Sequence, residues 1–117
     1  VKGSFVNGKF TSGENIGDLG GINVAYTALQ LYLKDHGNPG AISGLTQDQR
    51  FFMSWATVWR TKSTDKYMTN QVKTDPHSPG YYRSFGPLVN MEAFQKAFDV
   101  KPGDKLYVAP ENRIKIW

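Results

Sequence analysis

Apolar residues fall at Leu19, Ile22, Tyr26, Leu29 and Leu33, and this 3,4,3,4 spacing predicts an amphipathic helix from Asp18 to about Lys34. Asp18 lies four residues before Ile22, on the same stripe. An acid on a core-facing stripe is costly unless paired, so Asp18 is expected to meet a buried donor. Gly17, Gly20 and Gly21 are poor helix formers, and their expected use is to let another element approach closely. Upstream, Phe5-Val6-Asn7-Gly8-Lys9-Phe10 reads as a short hairpin with Asn-Gly at its turn.

His36-Gly37-Asn38-Pro39-Gly40 ends this helix with turn residues. Thr46 with Gln49 three residues later forms a capping box for a second helix, from Gln47 to about Lys62. That helix carries Phe51, Phe52, Trp55, Val58 and Trp59 on more than one face, which predicts a central place in the core. A shorter third helix is expected from about Thr64 to Lys73. The stretch 74–87 holds three prolines and two glycines and is expected to be an irregular loop. Asn90 is the expected cap of a fourth helix with the stripe Met91, Phe94 and Phe98. Pro102-Gly103-Asp104 reads as a turn. The end, Arg113-Ile114-Lys115-Ile116-Trp117, alternates like a strand.

The 117 residues suit one domain or a piece of a larger one. The chain begins at Val1 rather than Met, as expected of an excised or processed segment. No apolar run approaches the ~18 residues of a membrane span, and no signal peptide is visible. There is no cysteine, which excludes a disulfide scaffold and any thiolate metal site. The net charge of +4 comes from scattered Lys and Arg rather than a dense basic block, so no nucleic-acid partner is expected.

Four groups of residues carry candidate chemistry. Glu14 and Asp18 are four apart at the head of the predicted helix, which puts both carboxylates on one face roughly 6 Å apart. They suit a metal ligand with a supporting acid behind it. They also suit a plain acidic pair favoured by the helix dipole. His77 and Arg83, in a proline-stiffened loop, suit an oxyanion donor and a carbonyl anchor, or an ordinary surface loop. Val58 and Trp59 read as core before pocket. His36 reads as a helix C-cap rather than a metal ligand. A catalytic zinc needs three protein ligands and an open position. With His36 and His77 its only histidines and no H-E-x-x-H, the chain is not expected to supply a two-histidine, one-glutamate site by itself.

Taken together, Gly13-Glu14-Asn15-Ile16-Gly17-Asp18-Leu19-Gly20-Gly21, Val58-Trp59-Arg60, Asp75-Pro76-His77-Ser78-Pro79-Gly80-Tyr81-Tyr82-Arg83 and the terminal Trp117 resemble the C-terminal part of the neprilysin and endothelin-converting-enzyme family of zinc metallopeptidases. The resemblance implies a mainly helical C-terminal fragment, residues 1–117, of a thermolysin-like (gluzincin) catalytic domain, with a short N-terminal hairpin and an irregular tail. It implies that Glu14 is the third ligand of one zinc ion and that Asp18 hydrogen-bonds a histidine ligand. It further implies that His77 stabilises the oxyanion, that Arg83 binds a substrate carbonyl, and that Val58 and Trp59 line the pocket after the scissile bond. The H-E-x-x-H helix would lie upstream of Val1. The implied partners are peptide substrates and the remainder of the catalytic domain, and the implied location is extracytoplasmic.

Gly17 stands where the family's Glu-Asn-Ile-Ala-Asp motif has alanine, a loss of about 1 kcal/mol in helix propensity that leaves both acids in place. The absence of cysteine removes the disulfides of the animal ectoenzymes and points to a bacterial member. The isolated chain is expected to be catalytically inactive. Without the upstream helix, the stripe from Leu19 to Leu33 is expected to be exposed and to invite self-association. A non-catalytic binding module that keeps the fold is the alternative.

Overall fold

A computed structural model describes residues 1–116 of the chain. Five α-helices follow in order: α1 (Gly8–His36), α2 (Gln47–Val58), α3 (Asp65–Thr74), α4 (Gly80–Arg83) and α5 (Glu92–Ala97). Single 3₁₀ turns sit at Leu88–Asn90 and Pro110–Asn112. The 29 residues of α1 set the long axis of the molecule, whose extents are 47 × 31 × 27 Å. At 1.5 Å per residue such a helix is about 43 Å long.

The predicted hairpin is absent. Asn7 instead caps α1, its side chain accepting from the Phe10 amide at 3.1 Å. Asn before Gly signals both a hairpin turn and a helix cap. An isolated hairpin has nothing to bury a face against and is marginal in water, whereas the capped helix satisfies its first amides. α1 therefore starts ten residues before the predicted boundary.

The predicted stripe of α1 is the buried one. Leu19 and Ile22 are buried, and Tyr26, Leu29 and Leu33 are half-buried. The stripe is therefore not the fully exposed patch expected of a severed fragment, and α2 and the 88–94 segment cover Ile22 and Tyr26. Ile22, Phe52, Leu88, Met91 and Phe94 form the core, with Tyr26, Phe51 and Trp55 packed around it. Phe52 is the hub. Its ring meets Tyr26 at 5.4 Å, Phe51 at 5.3 Å and Phe94 at 5.6 Å between centroids. Burial beside the Asp48 carboxylate pushes the Tyr26 hydroxyl up to about 12. The opposite face of α1, with Val24 and Leu31, is exposed. A Cβ built on Gly17 or Gly21 meets nothing within 4 Å, so the close approach expected there is not made by these residues.

The predicted capping box of α2 is present, with Thr46 accepting from the Gln49 amide and Gln49 accepting from the Thr46 amide at 3.0 Å. α2 stops at Val58, four residues short of the prediction, with Trp59 as its C-cap. α3 falls where predicted, capped by Thr64. Residues 75–87 are irregular except for the single turn of α4. Asn90 does not cap α5. Its side chain bridges the Gly86 carbonyl and the Ile114 amide, and Met91 takes the cap position without a side-chain bond. No strand occurs among the described residues. The tail is pinned by that Asn90–Ile114 bond and has no second strand to pair with, and Trp117 lies outside the described residues. His36 is the last residue of α1 with its ring nitrogen 3.0 Å from the Tyr32 carbonyl, and Gly37 rather than His36 takes the C-cap position.

Gly80 shows why α4 sits where it does. A Cβ there would meet the Trp59 carbonyl oxygen at 2.7 Å and the Thr61 hydroxyl at 2.8 Å. Only glycine lets α4 lie against the end of α2. Gly80→Ala is expected to destabilise the fold by about 1–3 kcal/mol, a cost read by thermal or urea unfolding. Unchanged stability would mean this contact is loose.

Candidate active-site cluster

The N-terminal third of α1 and the 75–83 segment face each other. Glu14 and Asp18 lie one helical turn apart in the body of α1, and no acid occupies its first turn. The dipole explanation for the pair therefore fails, because that effect fades within the first turn.

Asp18 has the buried donor that its position required. Arg83 donates from Nε to Oδ2 and from Nη2 to Oδ1, each at 2.7 Å. The side chains are 11% and 14% exposed, so the pair is bidentate and nearly dry. The guanidinium also stacks on Trp59, with its carbon 3.8 Å from the ring centroid. The Arg83 carbonyl accepts from the Trp55 indole at 2.9 Å. Arg83 is thus fixed at both backbone and head.

His77 lies between two carboxylates. Its Nδ1 is 2.6 Å from Asp75 Oδ1 and its Nε2 is 3.1 Å from Glu14 Oε2. Asp75 Oδ1 also accepts from the His77 amide at 2.9 Å, a short Asx turn that fixes the ring relative to its own backbone. The His77 amide, and then its ring, hold the Asp75 carboxyl below the usual carboxylate range. The folded value lies under the unfolded one. Asp75 therefore supports the fold above its unfolded pKa, and that support is lost as pH falls through the folded pKa.

Glu14, Asp18, His77, Arg83 and Trp59 are brought together. Val58 is not; it is 66% exposed at the end of α2. The Trp59 side chain lines a groove of about 420 Å³ with Met53, Arg60 and Tyr81. Its indole nitrogen is buried without a partner among the described residues. Sequence reading missed Asp75, and the signal for it was an Asp two residues before a His across a proline.

No three His, Cys, Asp or Glu residues among those described are grouped closely enough to hold a metal. Glu14 is nonetheless chemically suited to be one ligand. It is a half-exposed carboxylate on a regular helix, and His77 engages only its Oε2. The donor set fits one corner of a zinc site and not a whole one.

Peptidase family M13 matches residues 1–114, and the chain belongs to that family. Human neprilysin is 39% identical over 117 residues, covering 98% of this chain and 15% of that protein. Bovine endothelin-converting enzyme 1 is 38% identical over 119 residues, covering 100% of this chain and 16% of its own. The zinc metalloprotease Zmp1 of Mycobacterium tuberculosis, solved with an inhibitor, superposes with a TM-score of 0.89 at 49% identity. That match covers 96% of this chain and 17% of the mycobacterial one. The chain thus spans about a sixth of the length of these relatives.

Proposed function

We propose that residues 1–117 are the C-terminal portion of the catalytic domain of a zinc endopeptidase that cleaves oligopeptides, and that they supply one zinc ligand and the oxyanion side of its active site. The observation that carries this is the Asp75–His77–Glu14 array beside the Asp18–Arg83 pair, on one face of one helix. Membership of family M13 and 49% identity with a mycobacterial zinc metalloprotease support the chemistry and a bacterial source.

Glu14 would hold the zinc together with two histidines from outside this chain. Bound there, a zinc would supply Lewis acidity, lowering the pKa of a coordinated water toward ~7 and polarising the scissile carbonyl. The remaining work belongs to residues described above. Asp75 sets the tautomer and angle of His77, so Nε2 carries the hydrogen that here meets Glu14 Oε2. When Glu14 serves the metal, that N–H faces the carbonyl oxygen that gains charge. Arg83 spends Nε and Nη2 on Asp18 and keeps Nη1 for a substrate carbonyl. Asp18 has about four lone-pair sites and spends two on Arg83, leaving capacity for a histidine N–H. Trp59 supports Arg83 from below and would border the pocket for the residue after the cleaved bond. The same reading puts the full-length protein outside the cytoplasm.

His77→Phe in the full-length protein is expected to lower kcat by about 10²–10³, with zinc content unchanged. Asp75→Asn is expected to lower kcat in the same direction by a smaller factor, since the ring remains but its orientation is freed. Steady-state kinetics with metal analysis reads both. Full activity of His77→Phe would remove the oxyanion role. An intact H-E-x-x-H upstream of Val1 is required, and its absence would favour a binding module.

A further inference from the structure

The 75–83 segment touches α1 through three polar contacts, and only two of them are accounted for by chemistry. Glu14 meets His77 at 3.1 Å and Asp18 meets Arg83 at 2.7 Å. Between them, the Ser78 hydroxyl donates to Asn15 Oδ1 at 2.9 Å. We propose that this middle bond is the clamp that seats His77, making Ser78 and Asn15 positioning residues of the site.

Burial comes first. Ser78 is 5% exposed, whereas the His77 side chain is 42% exposed. Asp75 fixes the ring only relative to its own 75–77 backbone, and the half-exposed Glu14 ties it weakly to α1, so ring and backbone together are free to shift against the helix. The buried Ser78 hydroxyl is not, because leaving it unpaired costs its desolvation. The peptide link keeps the two Cα atoms about 3.8 Å apart, and Pro76 and Pro79 stiffen the backbone on either side. Fixing Ser78 therefore fixes the root of the His77 side chain.

Asn15 is itself held in one orientation. Its Nδ2 donates to Thr11 Oγ1 at 3.2 Å, and the Thr11 hydroxyl donates to the Asn7 carbonyl at 3.1 Å. The Thr11 hydrogen is already used, so Thr11 accepts from Asn15, and the Asn15 amide must turn its oxygen to Ser78. Thr11 is 3% exposed. Residues 7, 11 and 15 repeat every four positions, so this polar chain runs along one edge of α1 from its N-cap to the neighbour of Glu14. Its hydroxyl hydrogens are both spent within the chain, so its evident work is to set the register between the two halves of the site. Displacement of a reacting group by 1 Å can cost about 10²-fold in rate.

The proposal rests on His77 acting as the oxyanion donor, and its test separates the two. Ser78→Ala, His77→Phe and the double variant are made in the full-length protein. Turnover of a quenched fluorescent oligopeptide, zinc content and thermal midpoint are then measured. Ser78→Ala is expected to lower kcat by about tenfold, with KM and zinc content near wild type. In the His77→Phe background the same change is expected to add almost nothing to the loss in kcat. A lowered midpoint with unchanged kcat would make Ser78 merely structural and overturn the clamp. So would an equal loss of kcat with and without His77. A silent His77→Phe would instead overturn the oxyanion reading beneath it. If Ser78→Ala does not fold, Ser78→Cys keeps the volume with a weaker donor, and an unchanged kcat there overturns the clamp equally.

Discussion

Glu14→Gln in the full-length protein is expected to weaken zinc binding by more than about 100-fold and to abolish peptidase activity at limiting zinc. Residues one shell removed from a metal already cost 10–100-fold when changed, and a direct ligand should exceed that. Glutamine keeps the volume and the helix propensity of Glu14, so α1 is undisturbed. The lost contact to His77 is half-exposed on both sides and worth about 1 kcal/mol at most. The signature is therefore a large loss of function with little loss of stability. Competition against a chelator gives the zinc affinity, and thermal unfolding of the metal-free protein gives the stability. Zinc affinity and turnover both unchanged would refute the ligand assignment.

Arg83→Ala carries the second large effect, and here stability should fall with function. Asp18 would be left nearly buried with its only cation removed. Breaking a buried ion pair from one side costs about 3–5 kcal/mol, and the slight exposure of this pair argues for the lower end, about 3 kcal/mol. Loss of the stacking on Trp59 adds to it. Arg83→Lys restores the charge but not the two-pronged geometry and is expected to fall between. Urea denaturation measures the difference, and kcat/KM on an oligopeptide reports the lost carbonyl anchor. A loss below about 1 kcal/mol would mean that water reaches the pair freely.

Much of this arrangement was legible in the sequence, and the rest was hidden for physical reasons. Periodicity placed Asp18 on the buried stripe of α1 and required a donor for it. It could not name Arg83, which lies 65 residues away, because periodicity reports only local neighbours. The capping box at Thr46 was readable because both of its bonds are local. Asn7-Gly8 misled because one dipeptide serves two structures, and tertiary packing chose between them. Asn90 misled in the same way: its side chain suits a cap, but the tail and the Gly86 turn offered it better partners. The alternation at 113–116 lacked a neighbouring strand, and alternation without a partner does not make a sheet. Asp75 and Ser78 were visible as letters, but their roles depend on a ring angle and on a buried hydroxyl. The zinc argument was accessible from counting histidines alone.

The central claim is that the active site is divided, with Glu14 its only zinc ligand within residues 1–117. Anomalous diffraction at the zinc edge from crystals of the full-length protein tests it most directly. The predicted result is a single peak about 2.0–2.2 Å from a Glu14 carboxylate oxygen, with its two nitrogen ligands from histidines outside this segment. A peak away from Glu14, or one whose protein ligands all lie within residues 1–117, would contradict it.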